Sequence, residues 1–323
     1  MRFDSVLVTG GAGFIGSHTV DALLQEGAAV WVLDDLSTGS LRNLRVWKMN
    51  RKLHFTRGST VQANLVAALI NRVDAVIHLA AIVSPFYSVK KPEVVNAVNV
   101  TGTLNVLNSC VKKETQKVVF ASSSSVYGDQ TQLPITEDNP LHPTTPYGAS
   151  KLSGEKYCGA YNRTYGLNTI ALRYFNVYGE RQSSNPYSGV IAIFSKQVRR
   201  GLPPRIFGDG TQTRDFVHVS DVVQANLQAL NANTGTGDAF NIGTGRPINI
   251  NELSSLQAKL ANKIEIAPIH APARAGDIKD SYADITRVRE VLGFEPRIEL
   301  EEGLRALVNP AFGQSASHSL PKS

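Results

Sequence analysis

The sequence predicts an α/β fold, a doubly wound parallel sheet with a smaller C-terminal α/β lobe. Three observations point there. Short β-branched runs alternate with longer helical patterns through the first half; a glycine cluster follows the first run and opens a helix; and after about residue 175 the alternation gives way to Gly, Pro and turn signals. With 323 residues, 42% of them hydrophobic, the chain can bury a substantial core, as one large domain or two interlocked ones.

Strands are expected at Ser5–Thr9, Ala29–Leu33, Ala75–Leu79, Val118–Ala121 and Thr169–Leu172. Helical crossovers between them imply a parallel sheet, covered on both faces, with ligands at the carboxyl ends of the strands. The turn clusters Gly201–Pro204, Gly208–Gly210 and Gly243–Pro247 mark the second lobe. The expected division is a nucleotide-binding domain over 1–175, a mainly substrate-binding lobe over 176–312 with segments returning to the first domain, and a flexible polar tail over 313–323.

Composition excludes several classes of function. No apolar run approaches the roughly 18 residues of a membrane helix. Met1 to Val8 lead straight into a strand pattern without a cationic or cleavable signal, so a cytoplasmic protein is expected. Cys110 and Cys158 belong to no CxxC or CxxH spacing, which argues against a structural metal. The net charge of +6 is scattered, with pairs such as Lys112-Lys113 and Arg199-Arg200 among apolar residues at helical spacing. A nucleic-acid surface would show a basic stripe interleaved with aromatics.

The first motif is Val6-Leu-Val-Thr-Gly10-Gly-Ala-Gly13-Phe14-Ile15-Gly16. It follows a strand and opens a helix, the context that makes a glycine pattern specific for a dinucleotide. Gly10 permits the tight turn, Gly13 the approach of backbone amides to a pyrophosphate, and Gly16 close helix packing. The helix N-terminus at Phe14 and Ile15 adds partial positive charge. Asp34 ends the second strand, where a carboxylate accepts from a ribose diol and repels a 2′-phosphate, favouring NAD over NADP. Nearby Arg42 leaves NADP open on the residues alone.

The second motif is Tyr147-Gly-Ala-Ser-Lys151 behind Pro146. The proline favours a helix start, and the four-residue spacing puts Tyr and Lys on one face. A phenol titrating near 10 is a poor base at neutral pH, and a nearby ammonium favours the phenolate.

Together these motifs resemble the extended short-chain dehydrogenase/reductase superfamily, with its Rossmann domain, and within it the UDP-glucose/UDP-N-acetylglucosamine 4-epimerase family, over nearly the whole chain. The resemblance implies NAD as cofactor, with Leu79, Ala80 and Ala81 lining its ribose and pyrophosphate and Asn99 in the supporting helix. Phe120-Ala-Ser-Ser123-Ser-Ser-Val-Tyr-Gly128 resembles the family's hydroxyl loop, which assigns the catalytic hydroxyl to Ser123. Ser122, Ser124 and Ser125 are then turn formers or caps, and His78, within an apolar strand, is structural. Sugar-nucleotide 4,6-dehydratases carry Asp-Glu after that hydroxyl, whereas this chain has Ser124-Ser125, which argues against elimination of water.

At the substrate end, Asn176 in Arg173-Tyr-Phe-Asn176-Val-Tyr-Gly resembles the family's diphosphate contact. Val190 after Ser188-Gly189, and Arg205 and Phe207 before Gly208, resemble the uridine site. Arg214, Arg274 and Asp277 resemble diphosphate and ribose ligands, guanidinium forks being suited to phosphate. His218 and Asp221 brace the following helix. The implied reaction takes the O4 proton at Tyr147, passes hydride from C4 to NAD, turns the 4-keto sugar over and returns the hydride to the other face. Ser281, small where some relatives carry Tyr, implies a pocket that admits N-acetylated sugars. One departure is Gly58-Ser59, where the family has Gly-Asp near the adenine. UDP-glucuronate 4-epimerase and decarboxylase, and a non-catalytic NAD-binding regulator, are the alternative readings. The partners implied are a UDP-sugar and a second copy of the chain, with no nucleic acid and no membrane.

Overall fold

The computed structural model describes residues 2–183, 189–273 and 278–309. Strand β1 (Ser5–Thr9) runs through the glycine turn into helix α1 (Phe14–Gln25), followed by β2 (Ala29–Asp34), β3 (Leu53–Arg57), α2 (Ala63–Ile70) and β4 (Ala75–His78). Short helices α3 (Pro85–Lys90) and α4 (Pro92–Asn96) lead through a π-helical turn, Ala97–Thr101, into α5 (Gly102–Lys113) and β5 (Lys117–Ser123). The long helix α6 (Pro146–Tyr165) and β6 (Thr169–Tyr174) complete the first half.

The second half comprises β7 (Asn176–Tyr178), α7 (Val190–Arg199), β8 (Arg205–Phe207), β9 (Thr213–His218), α8 (Val219–Asn231) and β10 (Ala239–Ile242). It continues through β11 (Pro247–Asn249), α9 (Ile250–Leu260), β12 (Ile269–Ala271), β13 (Asp280–Ser281), α10 (Thr286–Leu292) and α11 (Leu300–Val308).

Among the described residues, seven parallel strands form the main sheet in the order β10-β6-β5-β4-β1-β2-β3. The chain winds outward from β1 to β3, then returns and winds the other way from β4. That reversal leaves a crevice at the carboxyl ends of β1 and β4, the switch point where doubly wound sheets hold ligands. Strand residues alternate between two buried clusters: Val6, Val8, Val30, Val32 and Val119 on one face, Leu7, Leu33, Val76, Val118 and Phe120 on the other. Burial on both faces explains why these strands read as continuous apolar runs. A third cluster, with Tyr178, Ile191, Phe194, Phe216, Leu253 and Leu304, forms the core of the second half. There β9 pairs with β7, β11 and β13, and β8 with β12.

Helix α6 matters most for the site, and its bounds have local causes. Thr145 caps its start, accepting from the Gly148 amide at 3.1 Å, and Pro146 occupies the first turn, where a missing N–H costs nothing. Gly166 ends it in the left-handed region at φ +69°. Cys110 and Cys158 are both buried and free, and burial pushes the Cys110 thiol up to about 12, so it does not ionise near neutral pH.

Candidate active site

The glycine turn is shaped by close approach. Gly10 sits at φ +70°, and a Cβ there would lie 2.9 Å from the Ala80 amide nitrogen. A Cβ on Gly16 would collide with the Gly10 carbonyl oxygen, and one on Gly13 would stand 3.2 Å from it. Gly13 also serves as the N-cap of α1 without a side-chain bond, so no side chain takes up the first-turn amides, among them those of Phe14 and Ile15. Asp34 closes the crevice from β2, nearly buried, accepting from the Ala12 amide at 2.9 Å and the Leu36 amide at 2.8 Å. Burial raises its carboxyl and these bonds pull it back. A bare backbone cradle, open helix amides and a carboxylate with lone pairs to spare suit an anionic dinucleotide with a ribose diol.

The adjoining wall is the chain leaving β4. Leu79, Ala80 and Ala81 lie half-buried beside the glycines, with the Ala80 amide donating to Thr9 Oγ1 at 3.2 Å. Below them His78 is wedged between Thr9 Oγ1 at 2.6 Å from Nδ1 and Thr103 Oγ1 at 2.9 Å from Nε2. Because Thr103 donates to the Asn99 carbonyl, it must accept from Nε2–H, and Nδ1 must accept from Thr9. Burial holds this neutral imidazole down to about 3. Asn99 is buried, its amide bonded to both backbone groups of Ile82 and to Ser150 Oγ. Its geometry is that of a brace between the Ile82 loop and α6.

Across the crevice, Tyr147, Lys151 and Ser123 come together where α6 lies against the end of β5. Lys151 Nζ donates to the Ala121 carbonyl at 2.8 Å and stands 5.1 Å above the Phe120 ring. Burial pushes the ammonium down to about 8. Tyr147 is 8% exposed. Burial raises its phenol, and a hydrogen bond with the Ser123 hydroxyl pulls it back. In the protein alone, desolvation therefore sets the direction, opposite to the one expected from a nearby ammonium. The four serines differ sharply. Ser123 itself caps the turn Ser124–Val126, its Oγ 2.9 Å from Ser125 Oγ, while Ser122 is buried against Glu155. The capping expected of Ser122, Ser124 and Ser125 thus falls on Ser123.

The substrate-end candidates are spread over short elements around β9. Asn176 on β7 donates to the Asp215 carbonyl at 3.1 Å. Ser281 and Arg214 are register partners on β13 and β9. Arg214 donates to the Thr213 and Lys279 carbonyls. Arg205 lies over the Phe207 ring at 5.4 Å, and Val190 opens α7 behind Gly189, again without a side-chain cap. Arg274, Asp277, Ser188 and the tail from Gly313 lie outside the described residues. His218 caps α8 by accepting from Ser220, and Asp221 accepts from the Arg297 and Ile298 amides, so both brace as expected.

Sequence reasoning gave no role to Asp215. It is fully buried and gathers Thr244 N and Oγ1, Gly245 N and Ala283 N, tying the β10 exit and the β13 strand to β9. Its place beside Arg214 was the available signal. Among the described residues, no group of three or more His, Cys, Asp and Glu is placed to hold a metal, and no helix is long and apolar enough to cross a membrane.

Residues 6–243 match the model of the NAD dependent epimerase/dehydratase family. A putative UDP-glucose 4-epimerase of Methanocaldococcus jannaschii is 42% identical over 306 residues, 94% of this chain and 97% of its own length. The crystal structure of UDP-glucose 4-epimerase from Thermotoga maritima with UDP-glucose superposes with a TM-score of 0.89 at 40% identity, covering 97% of this chain and 99% of that one. UDP-N-acetylglucosamine 4-epimerase from Methanobrevibacter ruminantium, in complex with UDP-N-acetylmuramic acid, gives 0.91 at 36% identity, covering 97% and 100%.

Proposed function

The chain belongs to the NAD dependent epimerase/dehydratase family, and on that premise we propose that it inverts C4 of a UDP-hexose, interconverting UDP-glucose and UDP-galactose through a 4-keto sugar and accepting the N-acetylated pair as well. Its cofactor is NAD. The observation that carries the reading is the meeting of Tyr147, Ser123 and Lys151 at the crevice whose opposite wall is the glycine turn.

NAD, when bound, supplies reversible hydride acceptance. The chain's residues do the rest. Gly10, Gly13, Gly16 and the α1 amides hold the pyrophosphate and Asp34 the ribose, with Leu79 to Ala81 as the adjoining wall. Tyr147 holds and returns the O4 proton, and Ser123, already bonded to the phenol, donates to or accepts from the same oxygen. Lys151 keeps a positive charge beneath the site at neutral pH. Asn176, Val190, Arg205, Phe207 and Arg214, with Arg274 and Asp277, hold UDP by charge and stacking. The sugar itself is held loosely enough to present either face.

The face of α6 on which Tyr157, Tyr161 and Tyr165 recur every four residues, with Tyr157 and Tyr165 exposed, supports a contact with a second copy of the chain. We assign a homodimer to this face.

The test incubates purified protein with UDP-galactose and separately with UDP-N-acetylgalactosamine, without added reductant, and resolves the C4 epimers by NMR. Conversion of UDP-galactose to UDP-glucose is expected, with the acetylated sugar also turned over. Conversion of neither, with NAD bound, overturns the reading in favour of a uronate or other nucleotide sugar.

A further inference from the structure

The catalytic helix carries a third buried polar residue in line with Tyr147 and Lys151. Glu155 is one turn beyond Lys151, and residues four apart on a helix share a face. Its carboxylate is enclosed. Arg173 on β6 grips it with two bonds, Nε to Oε2 at 3.0 Å and a second guanidinium nitrogen to Oε1 at 2.6 Å, while Ser122 Oγ donates to Oε2 at 2.9 Å. Ser122 and Arg173 are register partners on β5 and β6, so both point at α6 from neighbouring strands. The other arm of Arg173 donates to Tyr127 Oη at 2.7 Å and to the Glu137 carbonyl at 3.1 Å. Tyr127 in turn donates to Asn241 at 2.6 Å.

We infer that the Glu155–Arg173 pair is a positioning unit that sets Ser123 against Tyr147 and Lys151, by holding the chain on both sides of Ser123. Ser122, immediately before it, is tied through Glu155 to the helix that carries the tyrosine and lysine. Tyr127, at the end of the turn after it, is tied through Arg173 to the same carboxylate. One rung higher, Ala121 receives Lys151. Three successive residues of β5 are thus fixed to three successive turns of α6. The contact is close because Gly154 leaves room: a Cβ there would sit 3.1 Å or less from two Phe120 ring atoms. The pairing with Arg173 also disposes of the Glu155 charge. A free carboxylate one turn from Lys151 would bind the ammonium and remove it from the Ala121 carbonyl.

The inference rests on the catalytic reading of Tyr147, Ser123 and Lys151. Its test uses Glu155→Asp, which keeps the charge but withdraws the carboxylate by one methylene, and Ser122→Ala, which removes one hydroxyl and leaves the ion pair whole. Misplacement of reacting groups by about an ångström lowers turnover by roughly 10- to 100-fold. That loss is expected in kcat for UDP-galactose in both variants, with KM and NAD affinity within about twofold of wild type. A displaced pH profile of kcat should accompany it. A merely structural role would lower the melting temperature and leave kcat and its pH profile unchanged per folded molecule, and that result overturns the inference. Should Glu155→Asp not fold, Ser122→Ala decides alone. If the wild-type protein does not epimerise UDP-galactose, it is the substrate reading that fails. The same variants are then compared by the ultraviolet titration of the Tyr147 phenol, taken as the difference from Tyr147→Phe in each background; an unmoved titration overturns the positioning role.

Discussion

The two ends of the crevice are built from different materials. At the cofactor end the walls are backbone and buried polar groups: glycines packed to contact, Asp34 with both oxygens engaged, and His78 locked between two threonines. At the proposed substrate end they are side chains on strands of two to six residues, Arg205 exposed and most of the others half-buried, with the buried carboxylate of Asp215 tying β9 to the chain after β10 and β13. The first end tolerates almost no change of shape. The second can change one side chain at a time. This suits the proposed reaction, in which the cofactor stays put and the sugar turns.

The sharpest test of that contrast lies at the proposed catalytic centre between the two ends. Tyr147→Phe removes one oxygen from a buried ring and leaves the glycine cradle and the substrate strands intact. General acid–base groups contribute about 10²- to 10⁴-fold, so kcat should fall by that much while NAD binding, followed by fluorescence, and the melting temperature stay near wild type. A variant that keeps more than about a tenth of wild-type kcat would mean that Ser123 or another group carries the proton.

The next test separates the ends by acid. His78 is neutral in the fold, its titration held down to about 3 by burial from the ordinary histidine value of 6.5. The unfolded chain therefore takes up a proton that the folded one refuses. The resulting stability is fully present above pH 6.5 and is lost as pH falls from there towards 3, at about 1.4 kcal/mol per pH unit. Urea unfolding at pH 7, 6 and 5 should show this slope in wild type and a shallower one in His78→Gln. Equal slopes would mean that the imidazole is not the buried neutral strut its two threonines imply.

The same contrast decides what could be read from sequence. The strands β1, β2, β4, β5 and β6 are legible because they are buried on both faces and flanked by amphipathic helices. Strands β7, β8, β11, β12 and β13 are only two or three residues long, and their partners, not their residues, make them strands. The glycine motif is legible because Gly13 and Gly16 answer steric demands of the Gly10 carbonyl within the same motif, although what crowds Gly10 itself, the Ala80 backbone, comes from another strand. The serine loop is only half legible. Ser122 to Ser125 share one functional group, and their roles follow from which face of β5 each occupies and from Glu155 33 positions beyond Ser122. Glu155 could have been found from its spacing to Lys151, but its partner Arg173 could not, since only the sheet brings the two together.

The smallest expected effect lies at the substrate end and tests its one-residue adjustability. Ser281 is nearly buried on β13, paired in register with Arg214 and two residues from the Ala283 amide that Asp215 holds. The strand is therefore fixed, and on the proposed reading the Ser281 side chain sets the space for the sugar's N-acetyl group. In Ser281→Tyr the backbone anchors are unchanged, so the UDP grip should persist and the space for an N-acetyl group should shrink. Steric discrimination in such pockets amounts to about 1–3 kcal/mol. The ratio of kcat/KM for UDP-N-acetylgalactosamine to that for UDP-galactose should fall by roughly 10- to 200-fold, with UDP-galactose itself turned over at close to the wild-type rate. Equal losses on both sugars would place Ser281 in the frame instead of the pocket, and the substrate end would then be as rigid as the cofactor end.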